Sequence, residues 1–290
     1  MNPDTPTPAT ESPDYYVHDL SPFLIQFSET MGIRYYGLAY VLGFLIAWGL
    51  LVLYARKGKS PLQGEAIGNA LFAIVVGVMV GGRLGYFLFY QPEAFFENPF
   101  VFFRVTDGGM ASHGGFLGVI GAVLWLSRKE GLRLFWRLAD LFVTVAPPGI
   151  VLGRIANFIN GELWGRVTDV PWAVIFPQSA PSGTPLEEIA PRHPSQLYQA
   201  GLEGLIPLIY LQLRFWKSRV TEVRPGQLAG EFLCLYAVAR IVGEFFRQGD
   251  AGVTTVLGLN RGAFYSLFLL FLGGLFIYFA VRRQKVGASR

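Results

Sequence analysis

Arg154, Asn157, Glu162 and Arg166 fall close together in GRIANFINGELWGR, at the end of the apolar run LFVTVAPPGIVLGRIA. Two guanidinium groups, a carboxylate and a carboxamide at that spacing can build an oxyanion site, because the guanidinium fork meets phosphate oxygens through two parallel hydrogen bonds. A second set, Arg240, Glu244 and Arg247 in ARIVGEFFRQGD, is spaced i, i+4, i+7 and shares one helical face. Such a ladder either neutralises itself, so that an apolar segment can carry it, or leaves a positive face for an anion once Glu244 is paired. His113 lies in GGMASHGGFLG, where flanking glycines leave its imidazole little cover and let a substrate approach. His18 and His193 are the only other histidines, so neither a histidine metal cluster nor any other cofactor is expected. Cys234 is the single cysteine; a disulfide is excluded, and its apolar setting suits packing better than a thiolate.

The elements that must position these residues are apolar. Of 290 residues, 52% are hydrophobic and only 15% charged, with a mean hydropathy of +0.40, far from the roughly 25% charged residues of soluble domains. The fold class expected is all-α, a polytopic integral membrane protein of seven transmembrane helices. The spans read as Tyr35–Tyr54, Ala66–Tyr90, His113–Leu126, Leu138–Ile159, Gln196–Phe215, Gln227–Phe246 and Gly262–Val281. Fifteen Lys and Arg residues follow the odd-numbered spans and only six lie in the opposite loops. Because cytoplasmic loops hold the excess, the amino terminus is outside and the carboxyl terminus cytoplasmic. The division expected is an external amino-terminal segment over 1–34, a membrane domain over 35–281 with an external loop region at 160–195, and a cytoplasmic tail over 282–290. The segment before span one lacks a basic start and a cleavage site, so span one is expected to remain uncleaved. The net charge of +4 is accounted for by topology, and no basic stripe points to nucleic acid.

Arg83, Arg154 and Arg240 lie inside spans, each roughly 8–11 Å below the outer interface at 1.5 Å per residue. A buried arginine costs about 2.5–3.5 kcal/mol on insertion scales. One such residue would snorkel to the headgroups. Three at one depth, with Tyr36, His113 and Asn157 beside them, imply a polar cavity open to the outer leaflet, and a phospholipid headgroup is the fitting ligand. Glycine ladders at Gly77, Gly81 and Gly85, at Gly114 and Gly118, and at Gly149 and Gly153 predict close helix packing. Pro147 and Pro148 predict a kink or break in span four, with freed carbonyls that other helices must satisfy.

GRIANFINGELWGR closely resembles the signature of the bacterial prolipoprotein diacylglyceryl transferases. YYGLAY (35–40), GGRLGYFLFY (81–90), DGGMASHGG (107–115), RHPSQLY (192–198) and EFFRQGD (244–250) follow in family order, so the resemblance covers nearly all but the first 30 residues and the tail. It implies seven spans in the bacterial cytoplasmic (inner) membrane, with phosphatidylglycerol and a preprolipoprotein signal peptide bearing a lipobox cysteine as partners. The implied reaction moves a diacylglyceryl group onto that thiol and releases glycerol phosphate. By motif, Tyr36, His113, Arg154, Asn157, Gly165 and Arg247 are the critical positions, with Arg154 on the lipid phosphate and Arg247 paired with it. His113 is either general base or positioning residue; Arg240 and Glu244 belong to the lipid site, and Arg83, Glu162, Arg166 and His193 support it. Glu162 is expected to hold Arg166 or another arginine. Gly249 stands where the family usually shows Pro, and Gly262–Ala263 where it shows Gly-Gln. Both differences bear on the loop between spans six and seven, and the amino terminus is longer than expected.

The competing class is a transporter or lipid-binding protein using the same outer cavity without chemistry. No inverted repeat is evident, and release of glycerol phosphate on turnover would separate the two. A retinal-type receptor is excluded, since Lys57, Lys59, Lys129, Lys217 and Lys285 all lie in inside loops and offer no Schiff-base position.

Overall fold

The computed structural model describes residues 15–28, 31–104, 108–249 and 260–288. Asp107 and Asp250 of the quoted motifs, most of the loop joining spans six and seven, and residues 1–14 of the amino-terminal segment lie outside them. The chain is mostly helical and membrane-type. Among the described residues, four helical stretches are long and apolar enough to cross a bilayer: Tyr35–Arg56, Glu65–Tyr90, Leu132–Ile159 and Gly262–Gln284, with His113–Ser127 a shorter apolar helix.

In chain order, strands β1 (Tyr16–Val17), β2 (Phe23–Gln26) and β3 (Gly32–Arg34) precede helix α1 (Tyr35–Arg56) and α2 (Glu65–Tyr90). The short α3 (Pro92–Glu97) and a 3-10 turn over Pro99–Phe103 lead to α4 (Ser112–Ser127), α5 (Leu132–Val145) and α6 (Pro147–Ile159). After β4 (Val174–Ile175) come α7 (Ser195–Gln199), a π-helical segment (Ala200–Leu205), α8 (Ile206–Lys217), the one-turn α9 (Val220–Val223), α10 (Gln227–Glu244) and α11 (Arg261–Ala288). Two two-stranded sheets therefore qualify the all-α expectation. β1 pairs with β4 in parallel, and β2 with β3 antiparallel.

Span four breaks at Ala146, just before Pro147 and Pro148. Proline has no N–H, so Pro148 leaves the carbonyl of Thr144 without its helical donor. Gln212 of α8 donates to that oxygen from Nε2 at 2.9 Å and also reaches Tyr54 Oη at 2.6 Å. This polar bridge sits in the main apolar core, where Leu51, Tyr54, Leu138, Leu141, Leu211 and Phe215 are fully or nearly fully buried. Asp140 of α5 caps α10, accepting from Gly226 N and Ala229 N at 2.8 Å each, which satisfies donors that a helix start leaves unpaired.

Two of the glycine ladders meet each other. A Cβ on Gly77 would lie 2.5 Å from Gly118 O, and one on Gly85 would lie 2.7 Å from Gly114 Cα, so α2 and α4 touch backbone to backbone. The third ladder is only half used: a Cβ on Gly43 of α1 would lie 3.2 Å from Gly149 Cα, whereas Gly153 faces open space.

Candidate active site

Span five bends where the site needs it. Pro207 has no N–H to offer the carbonyl of residue 203, and the helix before it widens into the π segment that carries Glu203. The Glu203 carboxylate is fully buried. Its Oε2 accepts from Arg154 Nη2 at 2.7 Å and Nε at 3.2 Å, and its Oε1 pairs with Arg240 Nη1 at 3.2 Å. Arg240 in turn binds Glu244 Oε1 through Nη2 at 2.6 Å, and Arg247 Nη1 stands 3.7 Å from the same oxygen.

Helices α6 and α10, the π segment and the turn after α10 thus converge on one charge network. Among the described residues, three guanidinium groups and two carboxylates make up this network. The burial is graded: the two carboxylate side chains are 0% and 4% exposed, the three arginines 14–19%. The carboxylates are enclosed, and the arginine side chains stay partly exposed. Glu203 is absent from the sequence expectations, although a lone carboxylate inside an apolar span is itself a signal of function.

The expected pairing of Glu162 with an arginine does not form. Its Oε1 accepts from Asn157 Nδ2 at 2.7 Å and Asn160 Nδ2 at 3.5 Å, because the chain turns back at Gly161 and brings the carboxylate over the end of α6. Arg166 instead donates from Nε to the carbonyl of Arg247 at 3.1 Å. The extended segment around Gly165 is central to a small three-stranded arrangement: Gly165 N bonds His193 O, His193 N bonds Arg166 O, and Arg166 N bonds Phe246 O, at 2.9–3.0 Å. A Cβ on Gly165 would lie 2.5 Å from His193 O and 2.6 Å from Phe246 O, so only glycine fits. His193 Nδ1 lies 3.2 Å from Tyr198 Oη, and burial lowers the imidazole below its ordinary pKa.

Tyr36 lines a cavity of ≈ 710 Å³ with Arg34, Tyr40, Asn160 and Glu162. The Asn157–Glu162 pair joins this cavity to the arginine network, since Asn157 lies one turn beyond Arg154 on α6. His113 is exposed at the start of α4, its ring 5.6 Å from that of Tyr265 on α11. One turn earlier on α11, a Cβ on Gly262 would lie 2.5 Å from Glu244 Oε1. The first turn of α11 is therefore shared by the histidine and the charge network. Asn260 caps that turn, accepting from Ala263 N at 2.8 Å and donating to Glu244 Oε2 at 2.6 Å. Ala263 is buried there, and Gly249 has open space where a side chain would stand.

Arg83 does not join Arg154 and Arg240. It is buried and donates to the carbonyls of Val101, Phe102, Arg104, Gly108 and Gly109, with its guanidinium 4.8 Å from the Phe87 ring centroid. The loop before His113 wraps around it, with five of its carbonyls converging on the guanidinium. Equal depth in the sequence did not imply a common neighbourhood.

Residues 22–279 match the family model described as prolipoprotein diacylglyceryl transferase. Among similar curated proteins, a phosphatidylglycerol–prolipoprotein diacylglyceryl transferase of Mannheimia succiniciproducens is 44% identical over 257 residues, covering 88% of this chain and 91% of its own. The protein of that name from Proteus mirabilis is 41% identical over 270 residues (88% and 90%). That from Ruegeria pomeroyi is 41% identical over 292 residues (93% and 97%). With the match running from the β2 strand to the last helix, the chain belongs to the prolipoprotein diacylglyceryl transferase family.

Proposed function

We propose that this chain transfers the diacylglyceryl group of phosphatidylglycerol to the lipobox cysteine thiol of a preprolipoprotein, forming a thioether and releasing glycerol phosphate, at the outer face of the bacterial cytoplasmic membrane. The observation that carries the reading is the arginine network around Glu203, in which partly exposed arginine side chains converge on two buried carboxylates.

In this reading the lipid phosphate rests on Arg154 and Arg247, with Arg240 and Glu244 completing the site. The substrate thiol gives its proton to His113, the sulfur attacks the glyceryl carbon, and the carbon–oxygen bond to phosphate breaks. Its electron pair stays on the departing phosphate monoester. Charge grows on those oxygens as the bond opens, so preorganised guanidinium donors bind the transition state more strongly than the lipid. Tyr36 donates from the opposite wall, and the Asn157–Glu162 pair with Gly165, Arg166 and His193 holds the lip of the site.

The same reading gives seven passes: α1, α2, α4, α5 with α6, α7 through α8, α10 and α11. The β1–β4 pairing supports an even number of passes, four, between the two segments, since they lie side by side, and the Lys and Arg excess in the loops on the opposite side makes theirs the external one. The amino-terminal arm and residues 160–195 then form one external cap.

The test is direct. Purified protein, phosphatidylglycerol and a lipobox peptide should yield a peptide heavier by one diacylglyceryl group, together with free glycerol phosphate. Folded protein that gives no adduct would sink the assignment.

A further inference from the structure

Gln199 is fully buried one helical turn before Glu203, and neither its Nε2 nor its Oε1 has a hydrogen-bond partner among the described residues. An unpaired buried amide costs stability, and such groups persist where a ligand or a chemical role requires them. Gln196, one turn earlier, spends its Nε2 on the carbonyl of Glu162 at 2.6 Å.

What Gln199 faces is defined by Gly243. A Cβ built there would lie 3.5 Å from Gln199 Cγ, 3.9 Å from Gln199 Nε2 and 3.7 Å from Glu203 Oε1. The amide and the bridging carboxylate therefore border the same small space, on the turn of α10 that carries Arg240 and Glu244. A primary amide offers an acceptor and two donors side by side, and each hydroxyl both donates and accepts. Two adjacent hydroxyls match it. An ammonium headgroup does not, since it only donates and would leave the two amide N–H donors unpaired.

We propose that Gln199 binds the adjacent hydroxyls of the polyol on the departing phosphate, and so selects the lipid headgroup. The inference rests on the transferase reading above.

Steady-state kinetics with a lipobox peptide and the full chain in detergent micelles can test it, using phosphatidylglycerol and phosphatidylethanol. The second lipid keeps the phosphate and acyl chains but has no headgroup hydroxyl. The wild-type protein should favour phosphatidylglycerol by about tenfold or more in kcat/KM, the effect of about two neutral hydrogen bonds. Gln199→Met should lose about tenfold on phosphatidylglycerol, keep its rate on phosphatidylethanol, and show an unchanged or higher Tm without lipid. Equal slowing on both lipids, or a lower Tm with headgroup preference intact, would overturn the proposal and mark the amide as bonded to a structural water. Gln199→Glu keeps the shape but loses the N–H donors, and should recover only part of the preference; full preference in that variant would also overturn it. No adduct from wild-type protein with either lipid would instead remove the transferase reading itself.

Discussion

Glu203 holds Arg154 with one carboxylate oxygen and Arg240 with the other, at 2.7 and 3.2 Å. One fully buried anion thereby fixes the spacing of two guanidinium groups carried on different helices. Removing its charge leaves Arg154 without this carboxylate and Arg240 with Glu244 alone, and breaking a buried pair costs on the order of 3 kcal/mol. Glu203→Gln is expected to lower Tm measurably and to cut peptide modification at least a hundredfold. Glu203→Asp, one methylene shorter, reaches only one arginine and should fall between. Wild-type turnover in Glu203→Gln would show that the bridge is dispensable.

Arg154→Lys separates charge from geometry. An ammonium keeps the charge but cannot serve Glu203 and a phosphate with a planar fork. Its kcat should drop about a hundredfold or more, with a smaller change in Tm than in Glu203→Gln. Arg154→Ala with intact turnover would remove the phosphate role.

His113 makes its ring contact with Tyr265 and takes part in none of the ion pairs among the described residues, so its substitution should leave them in place. His113→Gln is expected to slow modification by about 10² or more, the usual contribution of a general base, while phosphatidylglycerol binding stays near wild type. A near-normal rate would leave His113 a positioning role only.

His193 predicts a pH effect on the outer region. Burial holds its folded pKa below the ordinary value of about 6.5. The unfolded chain therefore binds the proton first as pH falls. The stabilising contribution is complete above about 6.5 and is lost as pH drops through the depressed folded value. Hydrogen exchange at Gly165, Arg166 and His193 should accelerate over that range in the wild-type protein and less so in His193→Phe.

Gly165→Ala places a methyl within 2.5–2.6 Å of two backbone oxygens. Overpacking of this kind costs about 1–3 kcal/mol, and here it must separate the 165–166 segment from His193 or Phe246. Activity should collapse while the helices remain, as judged by circular dichroism.

The apolar runs, the break at Pro147–Pro148 and the Arg240–Glu244–Arg247 ladder were all legible in the sequence, because each depends on near neighbours along a helix. What escaped depends on contacts between distant segments. Glu203 and Arg154 are 49 residues apart, and no periodicity announces their pairing. Glu162 was assigned an arginine because opposite charges invite pairing, yet the turn at Gly161 delivers it to Asn157 first. Arg83 was assigned the depth of Arg154, but depth says nothing about which way a helix face points, and the carbonyls of the 101–109 loop take its guanidinium. The short strands β1 and β4 have too few residues to show an alternating pattern.

His18 Nε2 donates to the carbonyl of Phe158 at 2.7 Å across 140 residues of chain, and its own N–H meets Ile175 O at 2.8 Å. The arm that carries it is synthesised first, yet its seats exist only after α1 through α6 have been made. The latch between arm and loop is thus a record of completed assembly: protease access to residues 15–20 would time the maturation of the membrane-embedded half.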